Sequence, residues 1–313
     1  MQMGVQDLMS ILRSKAPQVL KPRPNQVFHE VWVDTPLLIM AAYMRSQRDA
    51  VMPFAAVEES LQEVARAALP LCTGVVHFVF DGKTRGEKRK TVQKRGVAQD
   101  KRNTQLEIKT ERDELQMDLR KAQQIVDKKV KDQAMAAVAV TPPSPSPPPA
   151  APCPANSFLL FPDTRTVRVY AQGLLETMAA KDARIRVHHA EHDSEEFIAR
   201  SASKADVVVS IDSDSLAFGA SHVVHHLGRS EETWIQLDNV LEALQLTQSQ
   251  FRWLCVLLGN DFNTRLRGCG PVTALALVRN PAWLFREWAR EKQAEEEWIL
   301  AAERSYEIFS HRS

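Results

Sequence analysis

Short apolar runs alternate along the chain with stretches in which apolar residues recur at helical spacing. The runs 27–34, 74–82 and 205–214 are apolar and carry aspartate at or near their ends, and we predict that they are buried strands. A shorter strand is predicted over 184–190, and 222–227 is predicted to be an edge or antiparallel strand. Helical spacing predicts helices near 37–43, 54–69, 164–180, 194–202, 238–246, 247–261, 272–278 and 283–309.

This alternation predicts an α/β fold, with a mostly parallel central sheet covered by helices on both faces. In sheets of this kind the functional crevice lies at the carboxyl ends of the strands. The side chains that follow the strands are therefore the first candidates for chemistry.

Two segments interrupt the alternation. Nine Lys or Arg and only two acids lie between Lys83 and Arg102, and a charged helical stretch continues to about Ala137. Eight of the 17 prolines lie between Pro142 and Pro154. Because proline fixes its backbone and lacks a donor, this second segment is predicted to be an extended linker or an exposed loop.

The overall composition allows a sizeable core but does not identify a partner. The chain has 313 residues, 44% hydrophobic and 25% charged, and a formal net charge of +1. The four cysteines form no CxxC pair, which favours a reducing compartment over a disulfide scaffold or a zinc knuckle. No apolar run is long enough to predict a signal peptide or a transmembrane helix.

Acidic residues collect at the ends of the predicted strands. Two pairs are spaced i, i+2, namely Asp193/Glu195 and Asp212/Asp214, and the second pair would point to one side if its segment stays extended. Each acid alone has a simpler explanation as a solvated loop residue or a helix cap, and Asp193 is a candidate N-cap. Together they would repel one another at one sheet edge unless divalent cations compensate. The seven are Asp34, Asp81, Asp193, Glu195, Asp212, Asp214 and Asp261.

Six segments, in order, resemble motifs of the flap endonuclease/XPG family of structure-specific 5′ nucleases. They are MGVQDLMSIL, VWVDTPLLI, VFDGKTRGEKRKTVQKR, EHDSEEFIA, VVSIDSDSLAFGA and LTQSQFRWLCVLLGNDFNTRLRGCGPVTAL. The resemblance covers residues 3–95 and 160–280 and implies a PIN-like core with a helical arch and a C-terminal helix–two-turn–helix. It implies a nuclease core with the start of the arch over 3–100, the arch over 101–140, a Pro-rich insertion over 141–157, the rest of the core over 158–236, and the helix–two-turn–helix with a C-terminal helix over 237–313.

The resemblance also implies an activity and a metal site. The activity is hydrolysis of phosphodiester bonds in branched or 5′-flap DNA, as a 5′ flap endonuclease and 5′–3′ exonuclease, leaving a 5′-phosphate. The implied cofactor is two Mg²⁺ ions, with Mn²⁺ as a substitute, held by the seven acids. Asp81 and Glu195 would hold one ion, and Asp212 and Asp214 the other.

Basic and glycine residues are assigned by the same resemblance. Lys88 and Arg95 match residues that approach the scissile phosphate, and Lys94 is a nearby candidate. The helix–two-turn–helix of the family holds K⁺, although Arg265 stands here in place of the usual hydroxyl residue, with Thr264 next to it. The candidate DNA contacts are Gly4, Arg85, Arg89, Lys90, Arg265, Arg267, Gly268 and Gly270.

Other partners and activities stay open at this point. A four-way-junction resolvase and a 5′–3′ exoribonuclease belong to the same superfamily, so RNA is an alternative substrate. A non-catalytic protein that binds branched DNA is the alternative from another class, and retention of all seven acids argues against it. We expect no membrane association, find no sliding-clamp motif, and place the protein, by resemblance, in the nucleus or a viral replication compartment.

Overall fold

The computed structural model describes residues 5–49, 51–83 and 163–310. Most of the predicted basic run, the arch and the Pro-rich insertion lie outside these ranges. The predicted boundary between 236 and 237 lies inside them, at the junction of a strand and a helix.

The described residues form a six-stranded sheet with the strand order β3-β2-β1-β4-β5-β6. Every neighbouring pair is parallel except the last, because β5 and β6 run antiparallel. The predicted α/β fold with a mostly parallel sheet is therefore confirmed. The strands are β1 (Val31–Asp34), β2 (Val76–Phe80), β3 (Ile185–His189), β4 (Val207–Val209), β5 (His222–His225) and β6 (Thr233–Gln236).

Helices connect the strands and cover both faces of the sheet. In the first half they are α1 (Leu8–Lys15), α2 (Thr35–Asp49), α3 (Pro53–Ala68) and α4 (Thr164–Lys181). In the second half they are α5 (Ser194–Ser201), α6 (Asp214–Phe218), α7 (Leu237–Leu244), α8 (Gln248–Leu258), α9 (Pro271–Arg279), α10 (Phe285–Glu291) and α11 (Glu296–Ser310). Short 3₁₀ turns lie at Pro17–Val19 and Leu69–Leu71.

One prediction about an individual helix was wrong. The single helix expected over 283–309 is two helices, because Gln293 adopts a left-handed backbone with φ of 55° and the Ala294 N–H returns to the Ala289 carbonyl. The segment 222–227 was predicted to be an edge or an antiparallel strand, and the second alternative is confirmed, since β5 pairs antiparallel with β6, which continues the sheet beyond it. The antiparallel pairing expected there is present on that side only.

Side chains of the inner strands alternate between two hydrophobic clusters, one on each face of the sheet. Trp32 and Val208 belong to the cluster that also contains α1, α5 and the C-terminal helices, whereas Val33 and Val209 face α2, α3 and α4. Burial on both faces explains why these strands are almost entirely apolar. None of the helices described here has the length and apolar character needed to span a bilayer.

Candidate active site

Three parallel strands deliver acidic residues to one edge of the sheet. Asp34 is the last residue of β1, Asp81 directly follows β2, and Asp212 lies in the turn after β4. Because β1 pairs in parallel with both β2 and β4, the three carboxyl ends lie side by side. The local sequence thus decides that each acid ends a strand, and the parallel pairing brings the acids together.

A serine at the start of α5 joins the first two acids. The Ser194 hydroxyl lies 2.8 Å from both Asp34 Oδ1 and Asp81 Oδ1. The Ser194 backbone N–H also donates to Asp81 Oδ1, at 2.9 Å. Since a hydroxyl has one proton, it can donate to only one of the two carboxylates at a time.

A second serine links Asp34 to the acids that follow β4. The Ser210 hydroxyl donates to Asp34 Oδ2 at 3.0 Å and accepts the Asp212 backbone N–H at 3.0 Å. The carboxylate of Asp212 in turn accepts the Asp214 N–H at 3.0 Å. The extended conformation expected for this segment was wrong, because Ser213 is in the right-handed helical region and α6 begins at Asp214.

This turn still brings three carboxylates together. Oxygen atoms of Glu195, Asp212 and Asp214 lie within 4.8 Å of one another. Each of the three side chains is at least 93% buried. An arrangement of oxygen-only donors at this spacing can surround a hard cation, which prefers carboxylate oxygen.

Crowding of the acids changes the pKa of Asp34. Burial, followed by repulsion from Asp81 and Asp212, raises the pKa of Asp34 to about 7, against the lowering effect of the two serine hydroxyls. Like charges brought together away from water favour the protonated form. Asp81 and Asp212 thus add to the effect of burial on Asp34.

The other two predicted acids lie beside this network. Asp193 occupies the N-cap position of α5, as expected, but its side chain makes no capping hydrogen bond. Asp261 is half-buried in the turn after α8. That turn is fixed by Asn260, whose side-chain oxygen accepts from the Phe262 N–H at 2.8 Å and from the Ser305 hydroxyl at 3.1 Å. Neither acid belongs to the three-carboxylate group found among the described residues.

The N-terminal segment reaches the same region. The Ser213 hydroxyl donates to the Val5 carbonyl at 3.3 Å, and the Gln6 N–H donates to the Gly259 carbonyl at 2.9 Å. Gly4 itself lies outside the described residues. So do the basic residues predicted between 83 and 102, which are Arg85, Lys88, Arg89, Lys90, Lys94 and Arg95.

Cationic residues that the sequence analysis missed lie next to the acids. Arg168 of α4 donates to the Asp81 carbonyl, and its guanidinium lies 5.8 Å from the centre of the Phe80 ring. Arg165 and Arg168 line a cavity of about 340 Å³ that reaches Asp81 and is walled by Met40. Helical spacing on α4 could have indicated that these two arginines share a face, but not that the face meets the acids.

A second cavity opens on the other side of Asp34. It has a volume of about 330 Å³ and is lined by Asp34, Ser210, Arg45 and Arg229 among others. Burial, followed by repulsion from Arg229, lowers the pKa of the Arg45 guanidinium. Each of the two cavities thus has one of the acids and two or more arginines in its lining.

The predicted helix–two-turn–helix residues lie between α8 and α9. Arg265 forms an ion pair with Asp7, with Nη1 and Oδ2 2.6 Å apart, whereas Arg267 is exposed. Gly268 has a left-handed φ of 82°, and Gly270 is the N-cap residue of α9. The Thr264 carbonyl accepts the indole N–H of Trp298 at 2.6 Å.

Comparisons with known proteins agree with this geometry. The XPG I-region family model matches residues 184–261, which include five of the seven acids. Flap endonuclease 1 of Mycosarcoma maydis is 41% identical over 83 residues, 25% of this chain and 22% of that protein. The putative RAD2-like endonuclease 095R of Frog virus 3 is 44% identical over 79 residues, 24% of this chain and 22% of that protein.

The fold is shared over a longer stretch than the sequence. The catalytic core of Rad2 in complex with DNA substrate aligns over 96% of this chain and 78% of that chain, with a TM-score of 0.57 and 17% identity. The resemblance to the flap endonuclease/XPG family is thus confirmed by sequence within 184–261, and the Rad2 alignment shows a shared fold. The matched segments span only about a fifth of the length of the sequence relatives.

Proposed function

We propose that this chain is a structure-specific 5′ nuclease that hydrolyses phosphodiester bonds of branched or 5′-flap DNA. The observation that carries the proposal is the convergence of Glu195, Asp212 and Asp214 at the carboxyl edge of a parallel sheet. Asp34 and Asp81 join them through serine hydroxyls. The match to the XPG I-region family model covers the segment that supplies three of these five acids.

The residues present fit divalent metal ions. Three buried carboxylates with oxygen atoms within 4.8 Å of one another concentrate acidic oxygen donors at one place. Burial and the neighbouring acids Asp81 and Asp212 also raise the pKa of Asp34. Oxygen-only donors favour Mg²⁺, with Mn²⁺ as a substitute. We therefore propose that two ions bind here, with Asp81 and Glu195 holding one and Asp212 and Asp214 the other. Asp193 and Asp261 would act through water.

Bound divalent ions of this kind activate water and stabilise negative charge on the attacking and leaving oxygens of a phosphodiester. The side chains of this chain supply the rest of the site. Ser194 and Ser210 hold the carboxylates of Asp34 and Asp81 in fixed orientations. Arg168 holds the carbonyl of Asp81 and presents a cation beside the acids.

The substrate would approach through the two cavities that flank the acids. Each is lined by arginines, and guanidinium groups suit phosphate oxygens. Met40 and Tyr43 give the first cavity an apolar wall against which a nucleotide can pack. We propose that Lys88, Lys94 and Arg95, outside the described residues, contact the scissile phosphate, and that the turn between α8 and α9 contacts duplex phosphates, with K⁺ bound there.

Asp212→Asn tests the metal assignment. The change keeps the size of the side chain but removes a negative charge, and we expect loss of Mg²⁺-dependent cleavage with little change in DNA binding. Cleavage of a labelled 5′-flap duplex and its binding in the presence of Ca²⁺ would be measured in parallel. Asp238→Asn, at an exposed acid on α7, is the matched control and should leave both unchanged. Full turnover by Asp212→Asn would overturn the proposal.

A substrate panel separates the remaining alternatives. Flap, nicked, four-way-junction and single-stranded RNA substrates would be compared with Mg²⁺ and with a chelator. We expect preferential cleavage of the flap. Faster cleavage of the junction or of RNA would identify a resolvase or an exoribonuclease, and binding without any cleavage would identify a non-catalytic protein. Since DNA-processing relatives occur in eukaryotes and in a virus, we propose a nuclear or viral replication site.

A further inference from the structure

A second cluster of metal-ligating side chains lies at the opposite end of the sheet. His29 and Glu30 directly precede β1, and Asp206 directly precedes β4, so the three residues lie at the amino ends of neighbouring strands. One ligand atom from each of the three lies within 4.8 Å of the other two. We propose that His29, Glu30 and Asp206 form a binding site for a divalent transition-metal ion of the zinc class.

The spacing of the donor atoms suits such an ion. His29 Nδ1 and Asp206 Oδ1 are 3.5 Å apart. Two ligands bound tetrahedrally to Zn²⁺ at about 2.0–2.1 Å lie about 3.3–3.4 Å apart. The donor atoms are thus close to the separation that the ion requires.

The two carboxylates are oriented by neighbouring groups. Asp206 is 3% exposed, and its Oδ1 and Oδ2 accept the Glu30 and Ser203 backbone N–H groups at 3.0 and 2.6 Å. Each carboxylate oxygen has a further lone pair for a metal. Hydrogen bonds of this kind orient metal ligands in proteins and raise metal affinity.

A buried histidine faces the same cluster. His77 of β2 is 4% exposed and is held by stacking on Trp32, with ring centres 3.9 Å apart. Its Nε2 lies 3.2 Å from Glu30 Oε2, within ion-pairing distance. The Nδ1 of the same ring is 2.8 Å from His188 Nε2. His77 is therefore positioned to orient the carboxylate of Glu30.

The composition of this cluster separates it from the acid cluster. The acid cluster offers only oxygen atoms, whereas this one adds an imidazole nitrogen, which favours zinc-class ions over Mg²⁺. The side chain of His29 is 65% exposed, so an ion can enter from solvent and keep water in its remaining positions. Bound metal would tie the start of β1 to the start of β4 and so stabilise the folded chain, since the unfolded chain lacks the preformed site.

The test measures Zn²⁺ binding by the full chain in millimolar Mg²⁺, using calorimetry with a competing chelator and thermal melting. We expect about one zinc-class site per chain and a melting temperature that rises by several degrees with Zn²⁺. His29→Ala and Glu30→Gln should each weaken Zn²⁺ binding at least about tenfold and remove the thermal shift. Neither change disturbs the backbone hydrogen bonds of Asp206, so both variants are expected to fold.

Two matched variants locate the bound ion. His189→Ala removes another exposed histidine, and Asp212→Asn alters the acid cluster; neither should change the affinity for Zn²⁺. Equal affinity in the unmodified chain and in His29→Ala would overturn the proposal and leave His29 and Asp206 as an ion pair alone. No readout involves nucleic acid, so the result is independent of whether the chain is a nuclease.

Discussion

At the scale of single residues, hydroxyl groups and one guanidinium organise the acid cluster. Ser194 lies between Asp34 and Asp81, and Ser210 lies between Asp34 and the backbone of Asp212. These neutral donors lower the charge repulsion without neutralising the site. A site that must accept cations gains from partners that orient carboxylates and leave their charge in place.

Arg168 is predicted to be a positioning residue that acts through Asp81. Arg168→Gln should lower kcat/KM for flap cleavage by about ten- to a hundredfold, because the carbonyl that follows β2 loses its donor and the cavity loses a cation. Arg168→Lys keeps the positive charge but lacks the planar guanidinium with its several fixed donors. We therefore expect the KM of this variant to be closer to that of the unmodified chain than its kcat. Arg184→Gln, at an exposed arginine before β3, is the control, and equal kinetics in all variants would contradict the assignment.

At the scale of elements, the loop after β2 depends on close contact with the segment that leads into α5. The Gly82 N–H donates to the His192 carbonyl at 2.6 Å, and the Lys83 N–H to the Glu191 carbonyl at 2.8 Å. A Cβ atom at Gly82 would collide with the carbonyl oxygens of Ala190 and Glu191, which belong to the backbone and cannot rotate away. This contact holds Asp81 next to Ser194.

Gly82→Ala is therefore expected to separate the two segments. It should lower the free energy of unfolding by about 1–3 kcal/mol and reduce cleavage, since Asp81 moves with the loop. Gly173→Ala is the contrasting control, because Gly173 lies in α4 with open space around the new methyl group. That change should stabilise the protein by about 0.5–1 kcal/mol. Urea unfolding of both variants measures the difference, and similar effects would refute the close-contact explanation.

At the scale of the whole molecule, the N-terminal segment contacts β6, the antiparallel strand at one edge of the sheet. Lys21 pairs with Trp234 of β6, and Arg23 forms an ion pair of 2.7 Å with Glu232. Burial acts to raise the pKa of Glu232, but hydrogen bonds from Arg23, Trp234 and the Gly228 N–H outweigh it and lower that pKa to about 2. The carboxylate thus joins the segment around Arg23 to the turn between β5 and β6.

This pKa predicts an acid-dependent loss of stability. A carboxyl whose pKa is lower in the folded chain than in the unfolded chain stabilises the fold above its unfolded pKa. That stabilisation is lost as the pH falls from about 4.5 through about 2. Because Arg23 is 42% exposed, we expect only about 1–2 kcal/mol from the pair.

Denaturant unfolding between pH 2 and 7 checks this prediction. Glu232→Gln should be less stable than the unmodified chain at neutral pH and should lose less stability on acidification. Glu231→Gln, at the neighbouring exposed acid, should follow the unmodified curve more closely. Parallel curves for the unmodified chain and Glu232→Gln would rule out the proposed linkage.

The sequence by itself determined the class of fold and the edge on which the acids lie. Strand and helix periodicities are local properties, and an acid that ends a strand is visible without the fold. Parallel pairing then follows from the alternation of strands and helices, so the meeting of Asp34, Asp81 and Asp212 was predictable. The antiparallel β6 was not predicted, since only Trp234 and Ile235 of its four residues, Thr233–Gln236, are buried and they form neither an apolar run nor an alternation.

Only the tertiary structure decided which side chains complete each site. Ser194 lies 160 positions from Asp34, Arg168 lies 87 positions from Asp81, and Asp206 lies 176 positions from Glu30. Serine, arginine and histidine are common on protein surfaces, so no local pattern marks the few that meet a distant partner. Contacts between residues so far apart in sequence depend on the order of the strands and on the path of the loops. Both are determined by the packing of the whole chain.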